Sequence, residues 1–406
     1  MRTNCKKHLL ASAVALFTAA AGMAMAQDGP IRIGVLNDQS GPYADASGEG
    51  SVVMARLALE DFGGSVMGRP VEILSADHRN SADVGSTQTR RWLDVDGVDA
   101  IFDVPNSGVL LALQEVVRER GGILMASGGG TSAFTAAACS PYGFQWTYDT
   151  FALANGAVRA LAREGLDSWF LLQVDYAFGE AAAADIETVL NDTGGQILGR
   201  VRTPLNTADF SSFLLQAQAS GAQAIALLNA GADTLNSIKQ ANEFGIPQSG
   251  QQLVGLIFFE TDALGVGIDV TQGLSVTVPF YWNQSDEARA VSERFYEQIG
   301  RMPSYVQIGV YSSVMHYLRA LEHAGTTDRD AVADAIRELD VNDAFVVDGT
   351  VRADGRMLHT MLLGQVRTPA EMEGQHNWDI YNILAEIPAE ESARPLPVGE
   401  CAMLDG

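Results

Sequence analysis

Strand and helix signals alternate along this chain, and the alternation runs through twice. Ile31–Leu36 has the pattern of a buried strand. Gly48–Phe62 follows as a helix, with Val52, Val53, Ala55, Leu57, Ala58 and Leu59 on its apolar face, and Gly63-Gly64 stops it. Val71–Leu74, Ala100–Phe102 and Ile123–Met125 read as further strands, separated by helices over Ser86–Leu93 and Val109–Arg120. Repeated βα units of this kind require a parallel sheet covered on both faces. The pattern restarts after Asp149. Helices are predicted over Thr150–Glu164, Glu180–Asn191, Asp209–Ser220 (capped by Asp209) and Thr234–Phe244. Strands are predicted over Trp169–Gln173, Gln196–Val201, Ala224–Leu228 and Leu253–Phe258. The fold class is therefore α/β, with two doubly wound parallel-sheet lobes. Leu274–Phe280, Met361–Val366 and Tyr381–Leu384 read as late strands, and Glu287–Ile299, Tyr305–Ala324 and Asp330–Leu339 as late helices. These complete the two sheets if the chain crosses between lobes more than once.

The N-terminus has the form of a cleaved leader. Arg2, Lys6 and Lys7 precede the apolar run Leu9–Ala21, and Ala24-Met25-Ala26 is a small-x-small cleavage site. The run is too short to cross a bilayer, which takes ~20 residues. Residues 1–26 are read as a signal peptide, and the mature chain as periplasmic. The formal net charge is −24, and losing three basic residues with the leader makes it more negative. That field opposes nucleic acid and anionic lipid, both polyanions. Of the three cysteines, Cys139 and Cys401 survive cleavage. Two cysteines in an exported chain favour one structural disulfide. It would pin a tail containing Arg394-Pro395-Leu396-Pro397 onto the body.

Signatures of catalysis are missing. The chain has no GxSxG and no GxxxxGK[ST], and Gly128-Gly129-Gly130-Thr131 lacks the lysine of a phosphate loop. The histidines show no metal-ligand spacing. Asp77-His78 reads as a polar pair at a strand end. No cofactor, metal or catalytic residue is expected. An exported enzyme or a sensor's ligand-binding domain is the reading this disfavours.

What remains is a set of turns at the carboxyl ends of strands, where ligands bind in open α/β sheets. The first lobe offers Asn37–Asp45, Asp103–Gly108 (with Asn106 and Ser107) and Ala126–Ser132 (with Ser127, Gly128, Gly129 and Thr131). Hydroxyls, amides and backbone N–H groups near helix starts suit a carboxylate without a formal positive charge. The second lobe offers Asp175–Gly179, Asn229–Asp233 and Ile257–Glu260, which are more aromatic and apolar.

In this order, Ser40-Gly41-Pro42-Tyr43, Ala58-Leu59-Glu60-Asp61, Asp209-Phe210-Ser211-Ser212, Ile238-Lys239-Gln240-Ala241 and Met302-Pro303-Ser304-Tyr305 carry a resemblance. The chain resembles the periplasmic solute-binding proteins of ABC importers of the Leu/Ile/Val-binding, type I class. The resemblance implies two lobes closing on a ligand about a three-crossover hinge, near Tyr148, Val278 and Arg352. It implies lobe 1 from 27–148 and 279–352, lobe 2 from 149–278 and 353–388, and a tail, 389–406, tied back to lobe 1. It also implies a monomer that delivers its ligand to an ABC permease.

By the same resemblance, Asn106 or Ser107, with Gly129 and Thr131, would hold the ligand carboxylate. Phe178 would cover the ligand, and Tyr43 and Tyr305 would wall the pocket. Ser127, Gly128, Tyr148, Asn229 and Phe258 complete the candidate set. Two positions depart from amino acid binders. Ile257 stands where an acidic partner of the ligand ammonium is expected, with Glu260 three residues on, and Ala230 or Gly231 replaces an aromatic wall. A buried cation without its carboxylate is unfavourable by several kcal/mol. The expected ligand is therefore a larger organic acid without an ammonium, of the aromatic-carboxylate type. An amino acid or amide held through Glu260 is the alternative.

Overall fold

A computed structural model of the chain describes residues 29–404. The proposed leader lies outside these residues. The first sheet has six strands in the order Ser65–Val66, Arg69–Asp77, Ile31–Asn37, Val98–Asp103, Ile123–Ala126 and Gly143–Gln145. All are parallel except the short edge strand Ser65–Val66. The second sheet has seven strands, ordered Tyr381–Ile387, Met361–Val366, Ser275–Val278, Gln252–Gly255, Ala224–Leu228, Ser168–Val174 and Gln196–Thr203. Its two latest strands pair antiparallel, so a parallel sheet is closed off by a hairpin-like edge.

The chain passes between the sheets three times, after Gln145, after Val278, and between Leu358 and Met361. Two of these passages are clamped together. Arg356 Nε lies 3.2 Å from Asp149 Oδ2, and both residues are buried. The Arg356 guanidinium also donates to the carbonyls of Gln145 (3.2 Å), Trp146 (3.1 Å) and Met357 (2.6 Å). His359 touches the Thr147 carbonyl at 2.5 Å from the same strap.

Local chemistry explains the ends of the elements. Asn106 caps the helix Ser107–Arg120 by accepting from Gly108 N and Val109 N. Asp149 accepts from Ala152 N at the start of Thr150–Arg163. Ser304 and Gln307 form a reciprocal capping box on Tyr305–Ala324, the most buried helix of the fold. That helix packs against Gly48–Phe62 on one face of the first sheet. On the other face, Trp92 lies over Gly34, where a Cβ would sit 2.4 Å from the indole ring. The helix predicted over Ser86–Leu93 begins earlier, at Ala82, because Ser81 caps it, and ends in a π turn, Trp92–Asp96. The helix predicted from Asp209 begins at Ser211; the Asp209 carboxylate accepts from Ser211 N at 2.9 Å from outside it. The predicted Leu253–Phe258 strand ends at Gly255, and the chain then leaves the sheet. Gly143–Gln145 is too short to show a period in sequence. Cys139 and Cys401 are disulfide-bonded, with Cα atoms 5.6 Å apart, and the bond fastens the C-terminal segment to the first lobe.

Candidate functional site

Both lobes contribute to one apolar core that runs across their junction, and the junction holds a small cavity of about 20 Å³. The first lobe supplies Tyr43, Ala46, Ser47, Pro105, Gly128, Tyr148 and Val306 to its wall; the second supplies Tyr176, Phe178, Ala230, Ile257 and Phe259. Each loop enters from the carboxyl end of a strand, the position that open α/β sheets reserve for ligands. A larger groove of about 390 Å³ runs along Ile238, Pro247 and Asp269–Leu274, within the second lobe and away from the junction.

The wall is aromatic and neutral. Tyr43 Oη and Tyr176 Oη are 2.8 Å apart and bridge the two lobes. Tyr148 Oη donates to Gly128 O at 2.6 Å. Tyr148 stacks edge-on against Tyr305 (5.4 Å between centroids), and Phe259 lies 4.6 Å from the same ring. Burial raises the tyrosines Tyr43, Tyr148 and Tyr176 above their ordinary value, so all three stay neutral. Ser47 Oγ donates to Asp103 Oδ2 at 2.7 Å. Burial raises the Asp103 carboxyl to about 6, against the pull of neighbouring hydroxyl and amide donors.

Of the candidates read from sequence, Tyr43, Gly128, Tyr148, Phe178, Ala230 and Ile257 line the cavity. The others stand around it. The Asn106 side chain is occupied as a helix cap, and Ser107 Oγ, beside it, is buried with no hydrogen-bond partner among the described residues. Ser127 Oγ lies 3.5 Å from Ser313 Oγ. Gly129 O and Thr131 O accept from Gln145 Nε2 at 2.9 and 3.3 Å, and Thr131 Oγ1 accepts from Ala133 N at 3.4 Å. Asn229 accepts from Thr234 Oγ1 at 2.8 Å and donates to Ser237 Oγ at 3.1 Å, which ties it into its own lobe. Phe258 is packed in the core, and Tyr305 stands behind Tyr148 and Phe259. Glu260 opens the helix Glu260–Val266 and is buried off the cavity wall; burial and the neighbouring Asp262 push its carboxyl up to about 8.

The sequence reading passed over Ala46, Ser47, Pro105, Tyr176, Phe259 and Val306. Pro105, Tyr176 and Phe259 fall inside loops already singled out, and the aromatic character of Tyr176 and Phe259 was the available signal. Ala46, Ser47 and Val306 are bland in sequence and reach the wall only through packing.

Two lobes joined by three passages around an interlobe cavity have the build of a binding protein that takes up a small molecule. Comparison with known proteins gives the family. The periplasmic binding protein family model matches residues 30–372, and the chain belongs to that family. It is 40% identical to a periplasmic binding protein from Burkholderia mallei, with a TM-score of 0.89, covering 92% of this chain and 99% of that one. It is 25% identical over 334 residues to the Leu/Ile/Val-binding protein homolog 6 of Brucella melitensis, covering 80% of this chain and 83% of that protein. A solute-binding protein of an ABC transporter from R. palustris, in complex with benzoate, shares the fold at 17% identity and a TM-score of 0.78, covering 89% of this chain and 97% of that one. The chain is thus a periplasmic solute-binding protein of the ABC-transporter type. Membership implies a small-molecule ligand, an ABC permease and an extracytoplasmic place of work.

Proposed function

We propose that the protein captures a small organic acid, of the aromatic-carboxylate type, and presents it to its permease from the periplasm, after removal of residues 1–26. The observation that carries this reading is the character of the cavity wall. It is built of Tyr, Phe and aliphatic side chains with Ser47 among them, and of the described residues neither an acid to pair with an ammonium nor a lysine or arginine lies on it. An amino acid buried there would find no carboxylate on the wall itself for its cation, an unfavourable burial. A carboxylate, by contrast, has donors nearby. Gly129 N, Gly130 N and Thr131 N have no acceptor among the described residues, and the Thr131 and Ser107 hydroxyl protons are uncommitted. Buried, unpaired N–H groups at a strand end are suited to an anion. The benzoate-binding relative shares this fold. The remaining site residues, Asn106, Ser127, Asn229, Phe258 and Tyr305, would support the wall. The protein would act as a monomer.

Thermal unfolding with a panel of aromatic carboxylates, aliphatic keto and hydroxy acids and amino acids tests this. A ligand at ~100 times its Kd adds roughly 2.7 kcal/mol to stability. Stabilisation by aromatic acids is expected; stabilisation by amino acids alone would refute the reading and point to Glu260 as the ammonium partner.

A further inference from the structure

Two hydroxyls on the cavity wall, those of Ser47 and Tyr148, have their protons already committed. Ser47 Oγ donates to Asp103 Oδ2 at 2.7 Å, and that oxygen also accepts from Asn37 Nδ2 at 3.1 Å. Tyr148 Oη donates to Gly128 O at 2.6 Å. A hydroxyl has one proton and two lone pairs. Having given the proton away from the cavity, Ser47 and Tyr148 can only accept from its occupant. Tyr43 and Tyr176 share one hydrogen bond, which leaves a single proton between them.

The backbone holds Asp103 in this role. Asp103 has φ +82° and Val104 has φ +54°, left-handed conformations that a β-branched residue rarely adopts. Such strain persists where the surroundings over-determine it, and it clusters at ligand sites. Here it lies at the end of the strand Val98–Asp103, directly before Pro105 on the cavity wall. A Cβ on Gly128, also on the wall, would lie 3.1 Å from Asp103 Oδ1, so the carboxylate sits immediately beneath the cavity. Its side chain is fully buried. Between Ser47 and Asp103 the serine hydroxyl is the donor.

We propose that Ser47, fixed as an acceptor by Asp103, selects ligands that present a hydrogen-bond donor to it, so that a hydroxylated acid is bound in preference to its unsubstituted or O-methylated counterpart. The inference rests on the cavity being the site for a small acid, as proposed above. A ligand without the donor would leave the Ser47 and Tyr148 lone pairs buried and unpaired, and sites of that kind discriminate strongly. Asp103 touches the ligand only through Ser47 and is a positioning residue.

Isothermal titration of the mature protein tests this with benzoate, the three hydroxybenzoate isomers, their methoxybenzoate counterparts and the hydroxybenzamides. At least one hydroxybenzoate is expected to bind about tenfold or more tightly than both benzoate and its own methoxy counterpart. Equal affinities would overturn the donor requirement while leaving the carboxylate reading in place. A hydroxybenzamide binding as tightly as the matching acid would overturn the carboxylate reading and leave the donor requirement standing. Binding of none of the probes would overturn both. Ser47→Ala is expected to erase the hydroxy-to-benzoate ratio, and Ser47→Thr to retain it. A ratio unchanged in Ser47→Ala would overturn the assignment to Ser47. Should that variant not fold, Ser47→Cys, a weaker acceptor, is read in its place and is expected to reduce the ratio.

Discussion

The hydroxyls of Tyr43 and Tyr176 lie 2.8 Å apart, and this hydrogen bond joins a loop of the first lobe to a loop of the second across the ligand cavity. Both rings are on the cavity wall. Beside them, Gly231 comes so close to Pro42 that a Cβ would sit 2.5 Å from the Pro42 carbonyl oxygen. The contact exists only while the lobes are together, so it is part of the closed state.

Tyr176→Phe removes the bridge and leaves the ring. A hydrogen bond of this kind contributes about 1 kcal/mol. Ligand affinity should drop roughly fivefold, mainly through faster release. Tyr43→Phe should give the same loss, and the double variant little more, as expected of one shared bond. Titration of the three variants checks this; additive losses would contradict it.

Ala230 keeps a place on the wall open for a bulky ligand. Ala230→Tyr should fill the space between the lobes and weaken an aromatic acid at least ~10-fold, with the fold intact. Undiminished binding would place the ligand elsewhere.

Stability should depend on pH through buried carboxyls. Burial raises Glu260 to about 8 and Asp262 to about 7. In the folded protein they hold protons that the unfolded chain, titrating near ~4, has released. Their contribution is complete below the unfolded value and is lost as pH rises through 7 and 8. His78, His316 and His359, each lowered to about 4 by burial, work in the opposite sense, but only between about 4 and their ordinary 6.5. Above about 6.5 the carboxyls decide. Urea titrations should show stability falling above about pH 6.5 and levelling off past about pH 8, with a slope approaching about 1 kcal/mol per pH unit for each carboxyl only while pH is below its folded value. Glu260→Gln should flatten that slope and leave aromatic acid binding unchanged.

The Cys139–Cys401 bond closes a loop of 262 residues in sequence separation. Replacing both cysteines by serine should lower stability by about 2–5 kcal/mol. Calorimetry with and without reductant checks the loss. Ligand binding should survive, because neither cysteine lies on the cavity wall.

Much of the architecture is legible in the chain. The alternation of apolar runs and amphipathic stretches specifies parallel βα units, and Gly63-Gly64, Asp149 and Ser304 mark element ends through local chemistry. The loops at strand ends follow from those units, and within them it is the family resemblance that points to Tyr43, Tyr148 and Phe178. Roles within the loops are another matter. Asn106 and Asn229 have the composition of ligand-binding residues, yet their side chains are engaged by backbone and neighbours within their own lobes. Composition does not distinguish an amide that caps a helix from one that meets a ligand.

Sequence alone therefore determined the elements, their parallel order and the end of each sheet at which ligands sit, because those depend on periodicity and on contacts close along the chain. Tertiary structure decided which loops meet. Tyr43 and Tyr176 are 133 positions apart, and Ser47 and Asp103 are 56. Their pairing depends on how three passages between the sheets bring the lobes together and on a strained turn at Asp103-Val104, and neither leaves a periodic trace in the residues themselves.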